Sequence, residues 1–251
     1  LAASLDPSLL ETHFSVSIHE GASVAWDPKS ETVAARRVRR LGALVLRESA
    51  LRVPDPALVA RALAQAVRAR GIASLPWGEM AARLRERLAF LHALDATWPD
   101  VSDEALLASL DRWLVPHLAG ARSLEDVGRL DFSSLLLTGL EYARRRLLDE
   151  LAPTHVTVPS GSRLPIDYAD PAAPRLAVRL QEMFGARDTP RIAGGRVPVT
   201  LHLLSPAHRP VQVTRDLAGF WATLYFDVRK DLRGRYPRHS WPENPLVATP
   251  T

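Results

Sequence analysis

The chain has 251 residues, 47% of them hydrophobic and 24% charged, with a formal net charge of +4, which is enough apolar material to bury real cores. Cysteine is absent; that removes disulfides, thiolate metal sites and cysteine nucleophiles together. No run of about 18 apolar residues exists to cross a membrane. The N-terminus has no secretory pattern and begins at Leu1, so the expectation is a cytoplasmic piece of a larger protein.

In chain order, Phe14, Val16 and Ile18 alternate with Ser15, Ser17 and His19, and Val24 and Trp26 follow, a period of two that reads as strand. Asp27-Pro28-Lys29-Ser30 is a turn cluster, and Val33 to Val38 and Ala43 to Leu46 supply two more strand runs around Gly42. The periodicity then becomes helical from Pro54 to Leu151. Asp55 and Pro56 stand as N-cap and first-turn residues before Leu58, Val59, Ala62, Leu63, Ala66 and Val67, and Gly71 ends that helix. Trp77, Leu84, Leu88, Leu91 and Leu94 mark a second helix. Ser102 caps a third, carrying Leu106, Leu107, Leu110 and Trp113 up to Pro116, and Phe132 to Leu151 makes a fourth, longer one.

Strand signals return after Pro153: Val156 and Val158, the turn Ser160-Gly161-Ser162, then Leu164, Ile166 and Tyr168 read as a hairpin. Arg175 to Phe184 fits strand or helix equally. Val197 to Leu204 and Val211 to Val213 read as strands split by Ser205-Pro206. A final helix follows, with Leu217, Phe220, Trp221, Leu224, Tyr225, Val228 and Leu232 on its apolar face. Phe220, Trp221, Leu224, Tyr225 and Val228 should pack on the Val197 to Leu204 strand while Arg229, Lys230, Arg233 and Arg235 project outward.

Several chemistries are excluded. A phosphate loop needs glycines ahead of a lysine followed by serine or threonine; Lys29-Ser30 follows Pro28, and Ser23 stands where the first glycine belongs. The eight histidines form no H-x-x-x-H pair suited to zinc, and no G-x-S-x-G elbow exists. Asp167 and Asp170, beside Pro171, read most simply as turn residues that bond their own backbone.

What remains is arginine. Only Lys29 and Lys230 are lysines, and from Arg187 to His239 ten basic residues face four acids, so that segment carries +6 and the remainder −2. One basic stretch is Arg36, Arg37, Arg39 and Arg40 near Trp26, either a surface for single-stranded nucleic acid or a solvated strand face. The other comprises Arg191 and Arg196 around Gly194-Gly195, with Arg229, Lys230, Arg233, Arg235 and Arg238 at the end of the last helix. These cations either contact an anion or complement a helix C-terminus.

The run from Thr189 to Pro206 resembles the C-terminal signature of bacterial HrpB helicases, a DEAH-box family of ATP-dependent RNA helicases. The carrying residues include Gly194-Gly195-Arg196-Val197-Pro198-Val199-Thr200-Leu201-His202-Leu203-Leu204. So do Arg209-Pro210-Val211-Gln212-Val213-Thr214, Asp216-Leu217-Ala218-Gly219-Phe220-Trp221, Val228-Arg229-Lys230-Asp231-Leu232-Arg233-Gly234-Arg235-Tyr236-Pro237 and His239-Ser240-Trp241-Pro242. Upstream, Pro159-Ser160-Gly161, Ile166-Asp167-Tyr168 and Arg179-Leu180-Gln181-Glu182-Met183-Phe184-Gly185 fit as well. Trp26-Asp27, the Ala35 to Leu46 stretch and Leu75-Pro76-Trp77 resemble the family more loosely.

The resemblance implies a parent with two RecA-like motor domains and a DEAH-type ATP site, with ATP and Mg bound there and no cofactor in this chain. No ATP-site or helicase-motif residue has a position here to be carried onto. The implied fold class is α+β: an OB-like antiparallel β-barrel segment over 1–54, a helical block over 55–152 and a C-terminal mixed α/β domain over 153–251. The implied function is an accessory region that positions single-stranded RNA or DNA for motor domains of the same parent chain, with no membrane partner. The alternative is a protein-interaction or motor-docking module without nucleic-acid contact.

Overall fold

The computed structural model describes residue 10 and residues 12–251. The chain divides into two compact units: the residues up to Trp77 with Ser102–Leu135, and Gly78–Val101 with Leu136–Thr251.

The first unit begins with an antiparallel meander of β1 (Ile18–Asp27), β2 (Thr32–Leu41) and β3 (Leu44–Ala50). The Asp27 carboxylate forms the first turn, accepting the Lys29 N–H at 3.0 Å and the Ser30 hydroxyl at 2.8 Å, and Gly42 makes the second at φ 57°. Phe14 to Ser17, expected to continue the strand, instead ends in a 3-10 turn, Ser15–Ser17. The expected OB-like barrel does not close. Among the described residues the three strands pair only with one another, apart from a single bridge between Thr32 and Ser123.

Helix α1 (Pro56–Arg70) lies against β1. The Asp55 side chain caps it by accepting the Ala57 N–H, and Gly71 ends it at φ 84°, a backbone shape that only glycine takes without cost. Its face of Val59, Leu63 and Val67 is buried. The expected third helix is broken at Ser109 into α3 (Asp103–Ala108) and α4 (Leu110–Trp113), where the Ser109 hydroxyl bonds the Ala105 carbonyl at 2.6 Å. A short α5 (Leu124–Gly128), invisible to the apolar periodicity, carries a capping box between Ser123 and Asp126. Trp77 packs on Trp113 and Phe132, with ring centroids 6.1 and 5.1 Å away.

The fourth helix is also broken, at Gly139 to Glu141, into α6 (Phe132–Thr138) and α7 (Tyr142–Leu151). In the second unit α7 packs on α2 (Gly78–Leu94). Arg87 of α2 is 8% exposed and closes the C-terminus of α7. Its guanidinium donates to the carbonyls of Ala152 at 2.6 Å and Leu148 at 3.3 Å and pairs with Asp149 at 2.5 Å. The Leu148 carbonyl already accepts the Ala152 N–H at 2.9 Å, whereas the Ala152 carbonyl is supplied by Arg87, so the cation satisfies both hydrogen-bond and dipole requirements at this helix end.

The expected hairpin forms from β4 (His155–Thr157) and β5 (Arg163–Pro165), with Gly161 at φ 87° in its turn. The ambiguous Arg175 to Phe184 segment is strand and then turn: β6 (Arg175–Arg179) runs into a 3-10 turn, Leu180–Met183. After the small hairpin of β7 (Arg191–Ile192) and β8 (Val197–Pro198), β9 (Thr200–Leu204) pairs parallel with β6 and antiparallel with β10 (Pro210–Thr214). The C-terminal region is thus mixed α/β. Leu176, Val178, Leu201 and Leu203 form its buried sheet core.

The last helix is broken at Thr223–Leu224 into α8 (Leu217–Ala222) and α9 (Tyr225–Arg235). Phe220, Trp221, Tyr225 and Leu232 are buried as the periodicity requires, whereas Leu224 is 46% exposed because the break rotates it out. The chain after Tyr236 folds back as a strap: Trp241 is buried, Tyr225 donates to the Pro242 carbonyl at 2.8 Å, and the Gly185 N–H bonds the Pro245 carbonyl at 2.8 Å.

Candidate nucleic-acid interface

Successive strand residues point to opposite faces, so Arg36, Arg37, Arg39 and Arg40 cannot all present to one ligand. The register pairs Arg39 with Glu20 and Arg37 with Ala22, and puts Trp26 opposite Val33 on that same face. Val38, paired with Glu48, shares the other face with Arg36 and Arg40. Each face carries its own carboxylate. Arg36 pairs with Glu48 at 2.6 Å, and Arg37 and Arg39 stand 3.5 and 3.9 Å from Glu20. Arg70 pairs with Glu31 and lies over the Trp26 ring at 5.8 Å. Arg40 is exposed.

Of the C-terminal cations, Arg191 and Arg196 are tied into the β7–β8 turn. Arg191 donates to the carbonyls of Gly195 at 2.6 Å and Arg196 at 3.1 Å, and Arg196 Nε to Ala193 at 2.9 Å. That turn places Ala193, Gly194 and Gly195 at φ 54°, 65° and 82° in succession, and its bonds occupy Nε and a terminal nitrogen of Arg191 but only Nε of Arg196. Arg229 does not project outward as expected: its side chain is 20% exposed, and Nε donates to the Trp241 carbonyl at 2.8 Å, fastening the strap. Arg235 pairs with Asp231 one turn back at 3.3 Å. Lys230 and Arg233 are exposed on α9. Phe226, 52% exposed, lies four and seven positions before them and so on the same helix face.

Two signature segments, Pro159-Ser160-Gly161 and Arg179 to Gly185, meet around Glu182, which is 4% exposed. The Ser160 N–H bonds the Glu182 carbonyl at 3.2 Å, and the carboxylate accepts the Arg179 N–H and Nε–H, each at 3.2 Å. Burial alone would raise this carboxyl, but the bonds from Arg179 and Ser162 outweigh it and hold it below the usual range. The Asp167 and Asp170 carboxylates accept the Ala169 and Ala172 N–H groups at 2.8 and 3.0 Å, which makes them turn residues.

Segments that the sequence did not connect with one another meet around a groove in the second unit. Its walls come from the end of α2 (Phe90, Ala93, Leu94), the turn Asp170-Pro171-Ala172, the start of β8 (Arg196, Val197, Pro198) and Arg215. Close by, Arg144 of α7 bonds the Thr97 carbonyl and lies over the Trp98 ring at 5.6 Å. The Asp95 carboxyl is held below its usual range, chiefly by hydrogen bonds from Thr97 and further by the charges of Arg144 and Arg196. No group of three or more His, Asp or Glu side chains able to hold a metal is present among the described residues. No helix among them is long and apolar enough to cross a membrane.

The class of protein is given by family models: this chain carries a helicase C-terminal region. The description "ATP-dependent helicase C-terminal" matches residues 113–245, and "ATP-dependent RNA helicase HrpB, connector region" matches residues 18–51, the span of the meander. The chain belongs to the HrpB helicase family. It is 42% identical over 236 residues to the ATP-dependent RNA helicase HrpB of Escherichia coli (strain K12), covering 93% of this chain and 29% of that protein. The crystal structure of the E. coli DExH-box NTPase HrpB superposes on 99% of this chain and 31% of its own, with a TM-score of 0.77 at 40% identity. A second crystal structure, of the E. coli DEAH/RHA helicase HrpB, covers 90% of this chain and 29% of its own, with a TM-score of 0.66 at 40% identity. This chain therefore spans under a third of the length of these relatives.

Proposed function

We propose that this chain is an accessory nucleic-acid-binding region of an ATP-dependent RNA helicase, positioning single-stranded RNA or DNA in the cytoplasm for a motor outside it. ATP and Mg belong to that motor. Within this region, the strand-rich segment to residue 54, the helical block to 152 and the C-terminal domain from 153 act as its three parts. The observation that carries the reading is the α9 face, where exposed Phe226 stands in line with Lys230 and Arg233. An aromatic for base stacking beside cations for phosphates is the combination single strands require. The E. coli relative, named as an ATP-dependent RNA helicase, favours a reading with RNA over other polyanions.

The test is fluorescence anisotropy of labelled single-stranded RNA and DNA across a salt series. For single strands each neutralised phosphate contributes about 0.7 to the salt slope, so replacing Arg40, Lys230 and Arg233 together with glutamine should lower the slope by about 2. An unchanged slope in the triple variant, or a wild-type chain that binds neither polymer, refutes the reading. A docking role has one specific observation in its favour: edge strand β3 exposes Leu44 at 52% and Val45 at 42%. An unpaired apolar edge accepts a further strand, from the parent motor or from chain that completes an OB-like barrel.

A further inference from the structure

The groove between the end of α2 and the start of β8 has a volume of about 530 Å³, within the range of about 300–1,000 Å³ usual for ligand sites. Its walls include the apolar Leu94, Pro171 and Pro198, and Arg196 and Arg215 line it as well. Leu94 is 39% exposed. One carboxylate, Asp170, also lines it, but an oxygen of that group is committed to the Ala172 N–H. Arg196 spends Nε on the Ala193 carbonyl, and its terminal nitrogens have no other partner among the described residues. The Arg215 side chain makes, among the described residues, only a long 3.5 Å contact to the Ala172 carbonyl.

A planar guanidinium presents parallel donors that match the oxygens of a phosphate, while an apolar slot takes the face of a base and excludes water. A slot lined by two arginines and apolar side chains offers partners for both the phosphates and the base faces of an unpaired strand. A duplex does not fit this pattern, because its base faces are already stacked.

We propose that this groove is a nucleotide-binding step for single-stranded RNA, seating one base against Leu94 and Pro198 with the flanking phosphates on Arg196 and Arg215. The proposal rests on the accessory nucleic-acid reading and adds a site that the exposed α9 face does not include.

The experiment uses the whole chain and a fluorescent RNA of about 12 nucleotides containing 4-thiouridine, with binding read by anisotropy and photo-crosslinks mapped by mass spectrometry. Crosslinks on peptides holding Leu94 or Pro198 are expected. Arg215→Gln alone, and Arg215→Gln with Leu94→Glu, should weaken binding by roughly tenfold or more and abolish those crosslinks, with melting curves confirming that both variants fold. The Lys230→Gln and Arg233→Gln variant should still crosslink in the groove. If the groove variants bind as the wild type does and crosslinks map elsewhere, the groove proposal falls while the accessory reading stands. If the wild type binds no RNA, both fall. If poly-glutamate displaces RNA from the groove at equal charge concentration, the occupant is an acidic protein segment and the nucleotide assignment is overturned.

Discussion

Trp221→Ala gives the sharpest test of the C-terminal packing. The indole is 4% exposed, lies 5.1 Å from Phe220, 6.1 Å from Phe184 and 5.2 Å from Tyr225, and donates Nε1–H to the Ala186 carbonyl at 2.9 Å. Truncating a packed tryptophan costs about 3–5 kcal/mol, and leaving the Ala186 carbonyl without its donor adds about 1 kcal/mol. That is a large part of the roughly 5–15 kcal/mol that holds a domain folded. At about 2–4 °C per kcal/mol for a chain of this size, the melting temperature should fall by about 10 °C or more. Arg233→Gln, on the exposed side of α9, should change stability by less than about 0.5 kcal/mol. Circular-dichroism melts and urea midpoints of both variants decide the matter. A Trp221→Ala protein that melts within a degree or two of the wild type, or an Arg233→Gln protein as damaged as it, would show the helix faces to be misassigned.

Three further outcomes follow from the same geometry. Glu182 is held below its ordinary range by Arg179 and Ser162, so its stabilisation is fully present above the unfolded value of about 4.3 and is lost as pH falls through the lower folded value. Glu182→Gln should therefore flatten the acid-side decline of the urea midpoint, and an unaltered pH profile would refute its role. Arg87→Met should cost about 1–3 kcal/mol because the Ala152 carbonyl at the end of α7 loses its donor, whereas Asp149→Ala, with its side chain 80% exposed, should cost under about 1 kcal/mol; equal losses in chemical denaturation would contradict the capping account. Asp126→Ala breaks the α5 capping box and should cost about 0.5–2 kcal/mol, read as a lowered midpoint of the unit that contains it.

Local rules carried much of the fold. Asp55-Pro56 and Gly71 bound α1 because a cap side chain and a left-handed backbone are set by neighbours in sequence, and Ser160-Gly161-Ser162 closes its hairpin for the same reason. The three broken helices were hidden because apolar spacing continues through a short kink: the pattern around Ser109, Gly139 and Thr223 keeps its period while the backbone does not. The split of the four strand arginines between two faces was legible from their numbering about Val38, since adjacent strand residues alternate. The fates of Arg191 and Arg229 were not legible, because the partners that consume them are backbone carbonyls, which no side-chain pattern announces. Nor was the groove, whose walls come from Leu94, Pro171, Pro198 and Arg215, segments joined only by the folded chain.

The ion pairs of the meander bear on how any polyanion would read it. Counterion release drives nucleic-acid binding because a freed small ion gains the entropy of the bulk. Glu48 and Glu20 are counterions of another sort: fixed to the chain beside Arg36, Arg37 and Arg39, they can be displaced but cannot diffuse away. A phosphate that takes their place frees its own condensed cation but leaves beside it a carboxylate that draws a cation back. The sheet would therefore add fewer units to the salt slope than it has arginines, and it would discriminate against weakly charged strands by making every phosphate compete with a tethered rival.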